Sequence, residues 1–94
     1  MALNINPIYP SAHRHLANLL VKLGRYKEAE NEYKETRKIT KNSYPKNNRD
    51  FGIFLYKSGN RKEAKKELEL ATKLFSEKGN EKESEKVRDL LKSL

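Results

Sequence analysis

The chain has 94 residues, of which 36% are charged and 35% are hydrophobic, and its 21 Lys and Arg against 13 Asp and Glu give a formal net charge of +8. So short and polar a chain has too little apolar material for a thick spherical core, so we expect a thin, layered structure with much surface. The lack of cysteine excludes disulfides and thiolate metal sites, and the basic balance serves solubility or favours acidic partners.

The beginning of the chain, Met1 to Pro7, has no basic region followed by an apolar run and therefore does not resemble a secretory signal peptide. No apolar stretch approaches the roughly 20 residues that a membrane-spanning helix needs. We therefore expect a soluble, cytoplasmic protein with no membrane partner.

One sequence unit occurs twice in tandem. Gly24 and Gly59 are 35 residues apart, and the same offset aligns small residues with small ones and proline with proline. The other matched pairs are Pro10 with Pro45, Leu16 with Phe51, Ala17 with Gly52, Leu20 with Leu55, Lys22 with Lys57, Ala29 with Ala64, and Tyr33 with Leu68. Repeat one covers about 10–44 and repeat two about 45–78.

Each repeat divides at its glycine into two amphipathic helices. Apolar residues recur at helical spacing on both sides of Gly24 and Gly59, and glycine can close a helix in the left-handed conformation. The spacing predicts helices over about 11–23, 26–41, 46–58, 61–77 and 81–93. Asn80 is a suitable N-cap for the last, which we interpret as a capping helix within about 80–94. No alternating run predicts a strand, so we expect one all-α domain over 1–94.

The motif residues resemble the tetratricopeptide repeat (TPR), a helix-turn-helix unit of about 34 residues with the pattern W-x₂-L-G-x₂-Y, A-x₃-F and P. The matching segments are Leu16-Ala17 with Leu20, Phe51-Gly52 with Leu55, Ala29-x₃-Tyr33 and Ala64-x₃-Leu68, and the run from Asn6 to His13 is similar to a junction between repeats. The departures are His13 and Asn48 where a large residue is usual, Thr36 for a small one, and a longer junction near Pro45. The resemblance implies an α-solenoid of antiparallel helix pairs.

In TPR proteins the first helix of each pair lines a concave face that binds peptides or helices of other proteins. The resemblance therefore makes the following residues of the first helices the candidate peptide-binding set: Arg14, Asn18, Lys22, Lys46, Arg49, Ile53, Tyr56 and Lys57. Asp50 is the only acid on these two helices, so the groove is predicted to be basic and to attract anions. Ile53 and Tyr56 would either anchor a ligand or pack against a neighbouring helix.

Arg14 and Asn18 are four residues apart, on one helix face, where they could hold a carboxylate together. They resemble half of the carboxylate clamp of TPR cochaperones. Asp50 stands where that clamp has an Asn in the next repeat, and its charge would repel a carboxylate.

No enzyme signal is present: the sequence lacks a nucleophile elbow, a phosphate loop and metal-ligand spacing. His13 and His15 are two residues apart and point to different helix faces, so we expect no metal site and a packing role for His13. We predict no catalytic residues and no cofactor.

The leading hypothesis is a protein-binding module that holds an acidic or amphipathic segment in a basic concave groove. One alternative is a self-assembling scaffold or a fragment of a longer TPR array, because the start of the chain resembles the end of a preceding repeat. Nucleic-acid binding through Lys38, Lys41, Lys46 and Arg49 is less supported, because aromatic residues are not interleaved with these cations as a stacking platform.

Overall fold

The computed structural model describes residues 9–94, so the beginning of the predicted repeat junction, at Asn6 and Pro7, lies outside the described residues. The described chain contains five helices and no strand: α1 (Pro10–Lys22), α2 (Tyr26–Ile39), α3 (Pro45–Lys57), α4 (Arg61–Glu77) and α5 (Glu81–Lys92). The prediction of an all-α chain with five helices is confirmed, and no helix end differs from its predicted position by more than two residues.

The chain falls into two compact units. Unit 1 (Met1–Asn42) contains α1 and α2, which pack against each other. Unit 2 (Ser43–Leu94) contains the other three helices, and its central helix α4 packs against both α3 and α5.

The ends of the helices follow from a few local residues. Gly59 has φ +88°, a left-handed conformation that closes α3, and the next N–H, of Asn60, donates to the carbonyl of Leu55 at 2.9 Å. Asn60 and Asn80 then cap α4 and α5, because their Oδ1 atoms accept from the N–H groups of Glu63 and Glu83, each at 3.4 Å. The N-cap predicted at Asn80 is therefore confirmed.

The small residues that the repeat alignment matches with one another are all buried, with Ala17, Ala29 and Ala64 at 0% exposure. In unit 2 the core cluster consists of Leu68, Ala71, Phe75 and Val87. Burial of these four side chains stabilises unit 2 through the removal of apolar surface from water, at about 25 cal/mol per Å². Among the helices of residues 9–94, none is both long and apolar enough to cross a membrane.

Candidate peptide-binding site

A pocket of about 170 Å³ lies in unit 2 between α3 and α5. Three helices line it: Ile53, Tyr56 and Lys57 come from α3, Leu68 from α4, and Leu90 and Leu94 from α5 and the residues after it. Three of the eight predicted binding residues therefore meet at one pocket, which is hereafter the α3–α5 pocket.

The α3–α5 pocket is next to the core of unit 2. Leu68 is fully buried, and it belongs both to the core cluster and to the pocket lining. Ile53, Leu90 and Leu94 are partly buried and pack against the same cluster. Ile53 thus has the packing role that the sequence offered as one alternative, and it also lines the pocket, whereas its role as a ligand anchor stays a prediction.

One cation lines this pocket, and a second lies over the ring of a lining residue. Lys57 lines it and is exposed, while the Cζ atom of Arg61 lies 5.7 Å from the ring centroid of Tyr56. Such a distance is within the range of a cation–π interaction. Arg61 was not among the predicted binding residues. It begins α4, the second helix of its repeat, whereas the TPR resemblance selects residues of the first helices.

Arg49 is already engaged inside unit 2. Its Nε donates to Oδ1 of Asp50 at 3.1 Å, its Nη1 donates to Oε2 of Glu83 at 3.3 Å, and its Cζ lies 5.9 Å from the ring centroid of Phe75. Arg49 therefore connects α3 to α5. Asp50, which stands where the carboxylate clamp has an Asn, forms an ion pair with Arg49. An incoming carboxylate would have to compete with both of these internal partners.

The predicted residues of unit 1 also have internal contacts. Nη2 of Arg14 lies 3.0 Å from Nε2 of His15, and Oδ1 of Asn18 accepts a hydrogen bond from Oη of Tyr33 at 2.5 Å. The amide oxygen of Asn18 thus ties α1 to α2. Lys22 is exposed in the last turn of α1.

Lys46, the remaining predicted residue, is exposed in the first turn of α3 and does not line the α3–α5 pocket.

His13 has the packing role that the sequence predicted. It is 9% exposed, and its Nδ1 lies 2.7 Å from Oε1 of Glu32, so it connects α1 to α2. His15 is exposed, as expected from its place on a different face. In residues 9–94 no group of three or more His, Cys, Asp or Glu side chains is arranged to hold a metal ion.

In comparisons with known proteins, no family model matches the chain, and neither a curated protein nor a solved structure shows significant similarity to it.

Proposed function

We propose that this protein is a TPR-like protein-interaction module that binds an acidic or amphipathic segment of another protein. The observation that carries the proposal is the α3–α5 pocket, where Ile53, Tyr56 and Lys57 lie together with side chains of α4 and α5. These three residues belong to the set that the repeat pattern selects as ligand-facing.

The composition of the pocket fits an amphipathic ligand. Its floor and walls are mainly aliphatic, which favours burial of apolar surface from a partner. Lys57 and Arg61 add positive charge beside this apolar surface, and Tyr56 and Arg61 are of the residue types enriched in binding hot spots.

The remaining predicted cations contribute to the proposal through long-range attraction. Arg14, Lys22 and Lys46 belong to a chain with a net charge of +8, which raises the rate of encounter with an acidic segment. We propose that they accelerate association, whereas the α3–α5 pocket sets the lifetime of the complex.

The test is a selection of displayed random peptides against the purified protein. We expect enrichment of peptides that combine acidic and large apolar residues. The selected peptides are then measured by fluorescence anisotropy against a pocket variant, Tyr56→Ser with Lys57→Glu, and a matched control, Tyr9→Ser with Lys27→Glu. The control removes one exposed tyrosine and reverses one exposed lysine of unit 1, neither of which lines the pocket.

We expect the pocket variant to bind about tenfold or more weakly than the wild type, which corresponds to about 1.4 kcal/mol, and the control to bind as the wild type does. Circular dichroism must show equal helicity for the three proteins. A selection without enrichment, or peptides that bind both variants equally, would overturn the proposal.

Self-assembly is a second candidate, and one observation favours it. Leu19, Leu23 and Tyr26 of unit 1 are 40%, 54% and 58% exposed. Their counterparts 35 residues later are Phe54, which is only 6% exposed, and the polar residues Ser58 and Arg61. The second repeat thus also forms a pair of packed helices, α3 and α4, without large exposed apolar residues at the corresponding positions, so a helix pair of this sequence pattern does not require them.

We propose that a second copy of this chain covers these apolar residues. Sedimentation velocity over a concentration series tests this, with Leu23→Ser/Tyr26→Arg as the variant that installs the residues of the second repeat. A dimer that the variant abolishes would support self-assembly. A wild type that remains monomeric at millimolar concentration would exclude it.

A further inference from the structure

The volume of the α3–α5 pocket limits what can enter it. At about 170 Å³ it is close in size to an engineered protein cavity of about 150 Å³ that holds benzene. Sites for drug-sized ligands and cofactors measure about 300–1,000 Å³. The pocket therefore suits one aromatic ring or one branched aliphatic side chain.

The lining determines the polarity of that side chain. Ile53, Leu68, Leu90 and Leu94 offer only carbon atoms in their side chains, and Tyr56 adds its ring. A polar group placed against them would lose its hydration without gaining a hydrogen bond, which disfavours its binding. An apolar side chain meets no such cost.

The charge beside the pocket is positive and uncompensated. Within residues 9–94, neither Lys57 nor Arg61 has an ion-pair partner, and Arg61 rests on the ring of Tyr56. Other cations of unit 2, such as Lys66 and Lys86, lie within ion-pair distance of Glu63 and Glu83. Lys57, which lines the pocket, and Arg61, which lies on the ring of a lining residue, are thus available to an external anion.

From these three observations we infer that the pocket receives a single Phe- or Leu-class side chain of a partner polypeptide whose neighbouring Asp or Glu pairs with Lys57 and Arg61. This inference rests on the proposed function and specifies the chemistry of its ligand. The partner segment combines a large apolar anchor with adjacent carboxylates. Charge complementarity selects such a segment over a second copy of this basic chain, which would bring further positive charge to the same place.

The test uses a defined probe, the peptide acetyl-Glu-Glu-Leu-Phe-Glu-Glu-amide, whose acids flank the anchor on both sides. One comparison peptide has Ser-Ser in place of Leu-Phe, and the other has Gln in place of every Glu. Binding is followed by NMR of the methyl groups of Ile53, Leu68, Leu90 and Leu94. The titrations are made in about 0.15 M salt, where the Debye length is about 8 Å and distant charges are screened.

We expect saturable shifts of these methyl signals with the probe, no saturation with the Ser-Ser peptide, and about tenfold weaker binding of the Gln peptide. A charge-reversed protein, Lys57→Glu with Arg61→Glu, is expected to bind the probe about tenfold more weakly than the wild type does and to bind the Gln peptide equally well. A control with the same change of net charge, Lys62→Glu with Lys82→Glu, is expected to bind as the wild type does. Both control lysines are exposed and do not line the pocket.

The outcomes separate the inference from the proposed function. If the selected peptides of the display experiment bind at the pocket but the probe does not, or if the probe binds equally to both charge-reversed proteins, the inference is wrong and the proposed function stands. Probe binding that shifts none of the four methyl-bearing residues also overturns the inference. If no peptide of any composition binds, both fall together.

Discussion

Gly52 of α3 lies so close to Leu68 of α4 that a Cβ atom at position 52 would stand 2.7 Å from Cγ of Leu68 and 2.8 Å from its Cδ2. Leu68 is fully buried and cannot move aside without displacing the core of unit 2. We expect Gly52→Ala to lower the free energy of unfolding by about 1 kcal/mol net, because overpacking costs about 1–3 kcal/mol whereas alanine regains up to about 1 kcal/mol of helix propensity. Urea denaturation measures the change.

The control for this prediction is the same substitution in a protein where the neighbour has been shortened. In the Leu68→Ala background the contacts with Cγ and Cδ2 of Leu68 are gone and only the carbonyl oxygen of Ala64 stays close, at 3.3 Å, so we expect Gly52→Ala to cost clearly less than in the wild type. A cost that is the same in both backgrounds would show that contact with Leu68 is not the cause.

The Arg49–Glu83 contact predicts a measurable coupling between α3 and α5. Both side chains are about three-quarters buried, with 25% and 28% of their surface exposed. We expect Arg49→Gln and Glu83→Gln each to lower the free energy of unfolding by about 0.5–1 kcal/mol, and the double variant to lose less than the sum. A thermal double-mutant cycle measures the coupling, and strictly additive losses would contradict it.

The same contact illustrates what the sequence could and could not predict. The helices follow from apolar periodicity, glycine and asparagine, which act through neighbours in the chain, and their bounds were therefore predictable. Arg49 and Glu83 are 34 residues apart, and no local pattern pairs them. Arg49 was placed in the ligand-facing set because it lies on the first helix of the second repeat. In the folded chain its guanidinium pairs with the internal acids Asp50 and Glu83.

The α3–α5 pocket shows a similar division. Ile53, Tyr56 and Lys57 were found because they share one helix and follow the repeat pattern. Leu90 and Leu94 were covered only by the prediction of a capping helix within about 80–94, since their contact with the pocket depends on how α5 packs against α4. The other lining residues come together through tertiary packing, and a single sequence has no fixed spacing from which such packing can be predicted.

The two asparagine N-caps give a prediction that depends on local structure alone. Asn60 and Asn80 each accept one N–H of the first helical turn at 3.4 Å. We expect Asn60→Ala and Asn80→Ala each to cost about 1 kcal/mol, and Asn→Gly at either position only a few tenths, because glycine leaves the N–H groups open to water. Urea midpoints should therefore rank Asn above Gly and Gly above Ala, and an alanine variant as stable as the wild type would contradict the capping role.

The small residues at matched places in the two repeats predict that each unit depends on close helix packing. Ala29 in α2 and Ala64 in α4 are both 0% exposed, so a tryptophan at either position has no space. We expect Ala29→Trp and Ala64→Trp each to lower the free energy of unfolding by about 3 kcal/mol or more, through displaced helices and forced side-chain rotamers. The matched controls are Lys27→Trp and Lys62→Trp, which place the same ring at exposed positions of the same two helices and should shift the melting temperature little. If an alanine variant melts within a degree or two of its lysine control, the corresponding helix pair does not pack closely at that position, and the repeat alignment that matches these two alanines loses its physical basis.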